Sequence, residues 1–156
     1  MVHPKLEEKV LKELYNTYVI PPYQRPYKWH KEHVLQLLDD LYENIYIGKR
    51  TYRVGTLIIH DENGTYNIVD GQQRLTTLSL ILYYLGKKDK LLQNQEYKNE
   101  ISKNNLIYNY DQIKQWFSAK KLEINKKRFL DELEDKCEFV IITVYRQDEA
   151  FQLFDT

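Results

Sequence analysis

The chain has one cysteine, one methionine, no excess charge of either sign and no apolar run of membrane-spanning length. A lone Cys137 excludes an intrachain disulfide and fits a reducing compartment. Lys plus Arg and Asp plus Glu both number 23, so no global field draws the chain to nucleic acid or to a membrane surface. Contact with a polyanion therefore needs a local patch. The opening residues Met1 to Glu8 lack the apolar centre of a signal peptide, and cytoplasmic localisation without membrane association is the expectation. The four histidines, His3, His30, His33 and His60, form no metal-ligand set; His30 and His33 stand three apart near a helix start, too few for a site. No internal repeat or disordered linker interrupts the 156 residues, which suffice for one domain with its own core.

Tyrosine is over-represented, with 14 copies against five Phe and two Trp. Its apolar ring and polar tip suit half-buried positions and cleft walls. Leu6, Val10 and Leu14 recur at helical spacing and predict a first helix from about Pro4 to Tyr15. Pro21, Pro22 and Pro26 forbid helix over Tyr18 to Trp29, which reads as extended. Val34, Leu38, Leu41 and Ile45 predict a second helix over Lys31 to Tyr46, stopping near Gly48. Val54 to His60 and Thr65 to Val69 are β-branched runs joined across Asn63-Gly64, a hairpin signal. Leu75, Leu78, Leu82 and Leu85 then mark a helix ending at Gly86.

Residues 87–125 form a polar excursion in which Leu106, Tyr110, Ile113 and Phe117 keep helical spacing. A short helix over Lys126 to Asp135 packs Phe129, Leu130 and Leu133. Phe139 to Tyr145 reads as a strand covered on both faces. Asp148 caps a final helix with Ala150, Phe151 and Phe154 inward; since the sequence stops inside this pattern, a longer protein is the expectation.

The densest chemistry lies at Asp70-Gly71-Gln72-Gln73-Arg74, between a strand and a helix. A glycine there lets the backbone approach a ligand, and the free N–H groups of the first helical turn favour an anion. Arg74 adds a planar fork for phosphate or carboxylate, and Asp70 can hold a metal or orient water. The plain alternative is an ordinary turn in which Asp70 caps the helix and Arg74 pairs with a surface acid. Upstream, Tyr23, Gln24, Arg25, Tyr27 and Trp29 alternate polar groups with flat rings on a stiff segment, suited to stacking a base and clamping phosphate. Packing of those rings on the prolines, with Arg25 bridging to an acid, accounts for the same residues. Lys87, Lys88, Lys90, Lys120, Lys121, Lys126, Lys127 and Arg128 form either a basic strip or solvated helix ends. Asp39 and Asp40 lie late on the second helix, with Asp40 either assisting a metal at Asp70 or pairing with a lysine. Cys137 reads as a buried structural thiol.

Ile-Pro-x-Tyr-Gln-Arg-x-Tyr-x-Trp, a helix with a late Asp-Asp, Val-Gly-Thr-Leu, Asp-Gly-Gln-Gln-Arg-Leu-Thr-Thr-Leu and Asp-Glu-Ala-Phe-Gln-Leu-Phe occur in that order. Over about Leu14 to Thr156 the chain resembles the ParB/sulfiredoxin-like N-terminal domain of GmrSD-type modification-dependent restriction proteins. The resemblance implies a single α+β domain over 1–156, a small mixed sheet with a β-hairpin and surrounding helices forming a nucleotide pocket. It further implies that Asp70, Gly71, Gln72, Gln73 and Arg74 handle phosphate and NTP hydrolysis, with Tyr23, Gln24 and Arg25 facing the same pocket. A nucleoside triphosphate is then the substrate or effector, with Mg²⁺ as an accompanying ion. Members act in defence against foreign or modified DNA with a C-terminal HNH-type nuclease. The family's Asn-x-x-Gly stretch after Phe154 and the nuclease's His-Asn-His set are absent here, so no nuclease activity is expected of these residues. The phosphate turn carries Gln72 and Gln73 where sulfiredoxins need cysteine, and the helix-turn-helix reader of ParB proteins is missing.

Three functions remain at this stage. The chain is an NTP-hydrolysing module, a nucleotide sensor without turnover that regulates the nuclease, or a module touching DNA directly. Turnover is expected of the full-length parent and binding of this stretch.

Overall fold

The computed structural model of the chain describes residues 3–21, 26–89, 91, 100–120 and 123–145. Within them the sequence builds one mixed five-stranded sheet and four α-helices. The strands are β1 (Lys5–Val10), β2 (Tyr18–Val19), β3 (Tyr52–Glu62), β4 (Thr65–Asp70) and β5 (Cys137–Val144). Their order across the sheet is β1-β5-β3-β4-β2. The outer pair β1 and β5 is antiparallel, β5 and β3 are parallel, β3 and β4 form an antiparallel hairpin, and β2 runs parallel to β4. The helices are α1 (Lys31–Leu41), α2 (Gln72–Tyr84), α3 (Glu100–Ala119) and α4 (Lys126–Lys136). This is the expected α+β class.

The helices cover one face of the sheet. Leu57, Ile59, Ile68, Phe139 and Ile141 of the strands pack with Leu38 and Leu41 of α1, Leu75 and Leu78 of α2, and Phe129 and Leu133 of α4. On the opposite face the described residues form a second cluster of Ile58, Val69 and Val144, with Ile142 against it. β5 is thus apolar on both faces, as its unbroken run predicts, with Val144 fully buried on the second. Cys137 is fully buried in the main core, and burial pushes its thiol far above the usual range.

The predicted first helix is not there. Lys5–Val10 is an edge strand and Leu11–Glu13 a single 3₁₀ turn. Leu6, the first residue of the supposed apolar stripe, is 67% exposed, whereas Leu11 and Leu14 enter the core. The unpaired backbone of β5 is what decides the matter: six residues of β1 satisfy it in antiparallel register, outweighing a helical side-chain pattern. Charges suit the edge position, with Arg53 reaching both Glu8 at 2.9 Å and Glu138 at 3.0 Å across three strands.

The other elements follow the sequence closely. Val34, Leu38, Leu41 and Ile45 are fully buried, and α1 continues through a wider π turn over Tyr42–Ile47 before Gly48. Asn63 and Gly64 take positive φ (52° and 90°), the tight turn their pairing announces. α3 fills much of the polar excursion and buries Ile113, Trp116 and Phe117. The expected helix from Asp148 lies outside the described residues.

Candidate functional site

β4 ends at Asp70 and α2 begins at Gln72, leaving Gly71 alone to turn the chain. Its φ is +101°, and a Cβ there would stand 2.5 Å from Leu57 Cδ2 and 2.8 Å from the Thr56 carbonyl oxygen. Only glycine meets both demands. No side chain caps α2 and its first turn carries no acid, so the positive end of the helix dipole at this start is not offset by a carboxylate of that turn. Two slips in strand register border this bend, one between Arg53 and Gly55 against β5, the other between Ile58 and Ile59 against β4. Such irregularities turn strand ends and re-aim side chains.

Arg74 reaches from α2 across Gly55 of β3. A Cβ at residue 55 would lie 3.0 Å from Arg74 Nη1 and 3.4 Å from its Cδ. On its other flank the guanidinium carbon lies 5.9 Å from the centre of the Trp29 ring. Arg74 is exposed and makes no ion pair among the described residues. It thus lies between a glycine and a tryptophan with its guanidinium in no ion pair among the described residues.

The proline-set strip is fastened to α2 by side chains. Gln73 Oε1 accepts from the Lys28 N–H at 2.9 Å and Gln73 Nε2 donates to the Pro26 carbonyl at 3.1 Å, like one rung of a sheet. Tyr27, between them, points inward: it is 2% exposed and its hydroxyl meets Thr77 Oγ1 at 2.8 Å and Asn109 Nδ2 at 2.9 Å. Burial raises its phenol above the ordinary tyrosine range. Asn105 and Asn109 of α3 donate to the Tyr27 and Trp29 carbonyls, fixing the strip from the far side.

Together these pieces enclose a cleft of about 520 Å³ lined by Lys28, Trp29, His33, Thr56 and the Asp70–Arg74 bend. Lys28 and Arg74 face one carboxylate, Asp70, so the cleft has a positive balance. Asp70 is half-buried and makes no side-chain hydrogen bond or ion pair among the described residues. Two larger depressions, of about 630 and 620 Å³, run along α2 and α3 around Tyr83 and Tyr110. The first borders Gly86, a positive-φ glycine at the end of α2, and neither is lined by the first turn of α2.

The bend therefore brings Asp70, Gly71 and Arg74 to one wall. Gln72 is 5% exposed, beneath the bend, and both polar atoms of Gln73 are committed to the strip. Tyr27 does not line the cleft; Trp29 and Lys28, its neighbours on that strip, do. Tyr23, Gln24 and Arg25 lie outside the described residues. Gly55 and Thr56 belong to the Val-Gly-Thr-Leu motif, to which the sequence attaches no role, and Lys28 is not singled out by it; a lysine between two aromatic residues on a proline-set strip is the available sign. Asp39 accepts the Trp116 indole N–H at 2.9 Å, and Asp40 accepts from Gln36 and Tyr52 rather than pairing with a lysine. No cluster of three metal-ligating side chains occurs among the described residues. Among the described basic residues most are engaged, Lys87 with Glu134 at 3.1 Å, Lys127 with Asp131, Arg128 with Glu132, Lys120 over the Tyr42 ring and Lys126 over the Tyr84 ring, while Lys90 and Lys121 lie outside the described residues. No described helix is long and apolar enough to cross a membrane.

Comparison with known proteins completes the description. No curated protein matches the chain. A family model described as the GmrSD restriction endonuclease N-terminal domain matches residues 8–156.

Proposed function

The chain belongs to the family of GmrSD restriction endonuclease N-terminal domains, which gives it a role in a restriction system, and on that premise we propose that its cleft binds and hydrolyses a nucleoside triphosphate. The observation that carries this reading is the uncapped start of α2 beside an Arg74 held between Gly55 and Trp29 with no carboxylate partner among the described residues. Polyphosphate oxygens would take the N–H groups of the first turn, with Arg74 and Lys28 neutralising charge from opposite walls.

Phosphoryl transfer to water asks mainly for alignment and charge stabilisation. Water attacks the terminal phosphorus, the bridging P–O bond breaks, and the nucleoside diphosphate leaves as inorganic phosphate forms. Arg74 stabilises charge on the transferred group. Asp70 orients the water and receives a hydrogen bond from it. A single unpaired carboxylate fits Mg²⁺ held jointly with substrate phosphates, the usual manner of that ion. Bound so, it would supply further charge neutralisation. Gln73 positions Lys28 and Trp29 rather than meeting substrate.

The test is phosphate release from a panel of nucleoside triphosphates, with Arg74→Ala and Asp70→Ala alongside. Turnover that falls at least about a hundredfold in Arg74→Ala supports the reading. Binding without phosphate release would make the domain a sensor. Binding to DNA alone, falling steeply with salt and indifferent to nucleotide, would transfer the role to the basic surface.

A further inference from the structure

Arg74, Trp29 and His33 line two spaces at once. One is the cleft before the Gly71 bend; the other is a recess of about 140 Å³ that shares these three residues with it. The recess has a different chemistry. Leu37 and Val54 give it apolar walls, Trp29 an aromatic one, and Asp40 supplies a carboxylate. Its volume is that of roughly five waters, the scale of one flat heterocycle rather than a whole nucleoside.

Asp40 is held in a defined orientation. Oδ1 accepts from Gln36 Nε2 at 2.8 Å and Oδ2 from the Tyr52 hydroxyl at 3.3 Å. Burial, then Asp40, raises the Tyr52 phenol, which therefore stays a donor to the carboxylate. Each oxygen has accepted one bond and retains further lone pairs. No lysine, arginine or histidine pairs with Asp40 among the described residues. A fixed carboxylate beside an aromatic ring accepts from N–H edges and repels carbonyl or ring-nitrogen edges. Among common bases guanine offers two adjacent donors, its ring N1–H and its exocyclic amine, which match the two oxygens of one carboxylate.

We propose that this recess is the nucleobase subsite of the cleft and that Asp40, steadied by Gln36 and Tyr52, selects guanine. The inference rests on the phosphate reading above and extends it to the identity of the nucleotide. The triphosphate lies at the α2 start, the ribose passes the Arg74–Trp29 pair, and the base enters the recess with its donor edge toward Asp40.

Calorimetric titration of the chain with guanosine, inosine, adenosine and uridine triphosphates and with inorganic triphosphate tests this. Inosine triphosphate differs from the guanosine nucleotide only by the exocyclic amine. The wild type is expected to bind the guanosine nucleotide at least about tenfold more tightly than the inosine one, the worth of a hydrogen bond to a charged group. Asp40→Asn is expected to remove that preference while leaving inorganic triphosphate affinity unchanged. Equal affinities across the bases, or a guanine preference that survives in Asp40→Asn, overturn the base subsite while triphosphate binding upholds the cleft. Loss of inorganic triphosphate binding in Asp40→Asn also overturns it, since Asp40 would then support the cleft rather than read a base. Failure of the wild type to bind any triphosphate, inorganic included, overturns the cleft reading itself.

Discussion

Gly55 lies against the side chain of Arg74: a Cβ at residue 55 would come within 3.0 Å of the guanidinium Nη1. An arginine near bulk solvent ordinarily samples many rotamers, and ordering it costs binding energy. Here a strand without a side chain on one flank and the Trp29 ring on the other hold it in advance.

Adding a methyl group at that position therefore displaces the guanidinium without touching the ligand. Gly55→Ala is expected to weaken triphosphate binding about tenfold, and Gly55→Val further, in proportion to a disturbed charge-assisted hydrogen bond. Titration measures it; thermal unfolding of the alanine variant should stay within a few degrees of wild type, because the seat opens onto a side chain rather than backbone.

Gly71→Ala should behave in the opposite way. Its Cβ would collide with Leu57 Cδ2 and the Thr56 carbonyl at a φ of +101°, so both backbone strain and overpacking oppose the folded state. A loss of about 3 kcal/mol is expected from these causes. Thermal melting should show a fall on the order of 6–12 °C. A variant melting with wild type would show that the bend is not held against β3.

Tyr27→Phe separates a structural tyrosine from a ligand-binding one. The hydroxyl that meets Thr77 and Asn109 is removed while the ring keeps its packing. Stability should drop by about 1–2 kcal/mol, seen in denaturant unfolding, with nucleotide affinity little changed. A large affinity loss at unchanged stability would place that hydroxyl in the site.

Much of this arrangement was legible from residue order. The Asn63-Gly64 hairpin, the Leu75 to Leu85 stripe and the Asp70–Arg74 bend are local signals, and local signals of turn and period survive folding. Lys5–Val10 misled because its fate is set by a partner strand more than a hundred positions away, which no short window contains. Tyr27 and Trp29, two apart on the strip, both read as cleft residues, yet the Tyr27 hydroxyl is drawn inward by Thr77 and Asn109, whereas Lys28 and Trp29 line the cleft. Gly55 stood in the Val-Gly-Thr-Leu motif but without a legible role, since what it does is leave room beside Arg74. Asp40 was visible as a carboxylate beside an apolar stripe, and Gln36 is its neighbour one turn earlier on α1, but its second partner, Tyr52, comes from β3.

The central claim is that Arg74 and the start of α2 form a site for a polyphosphate. Direct titration of inorganic triphosphate into wild type and Arg74→Ala addresses it without reference to base or turnover. A single saturable site in wild type, weakened at least about thirtyfold in Arg74→Ala at unchanged melting temperature, is the expected result. Equal affinity in the two proteins, or no binding by the wild type, would contradict the account.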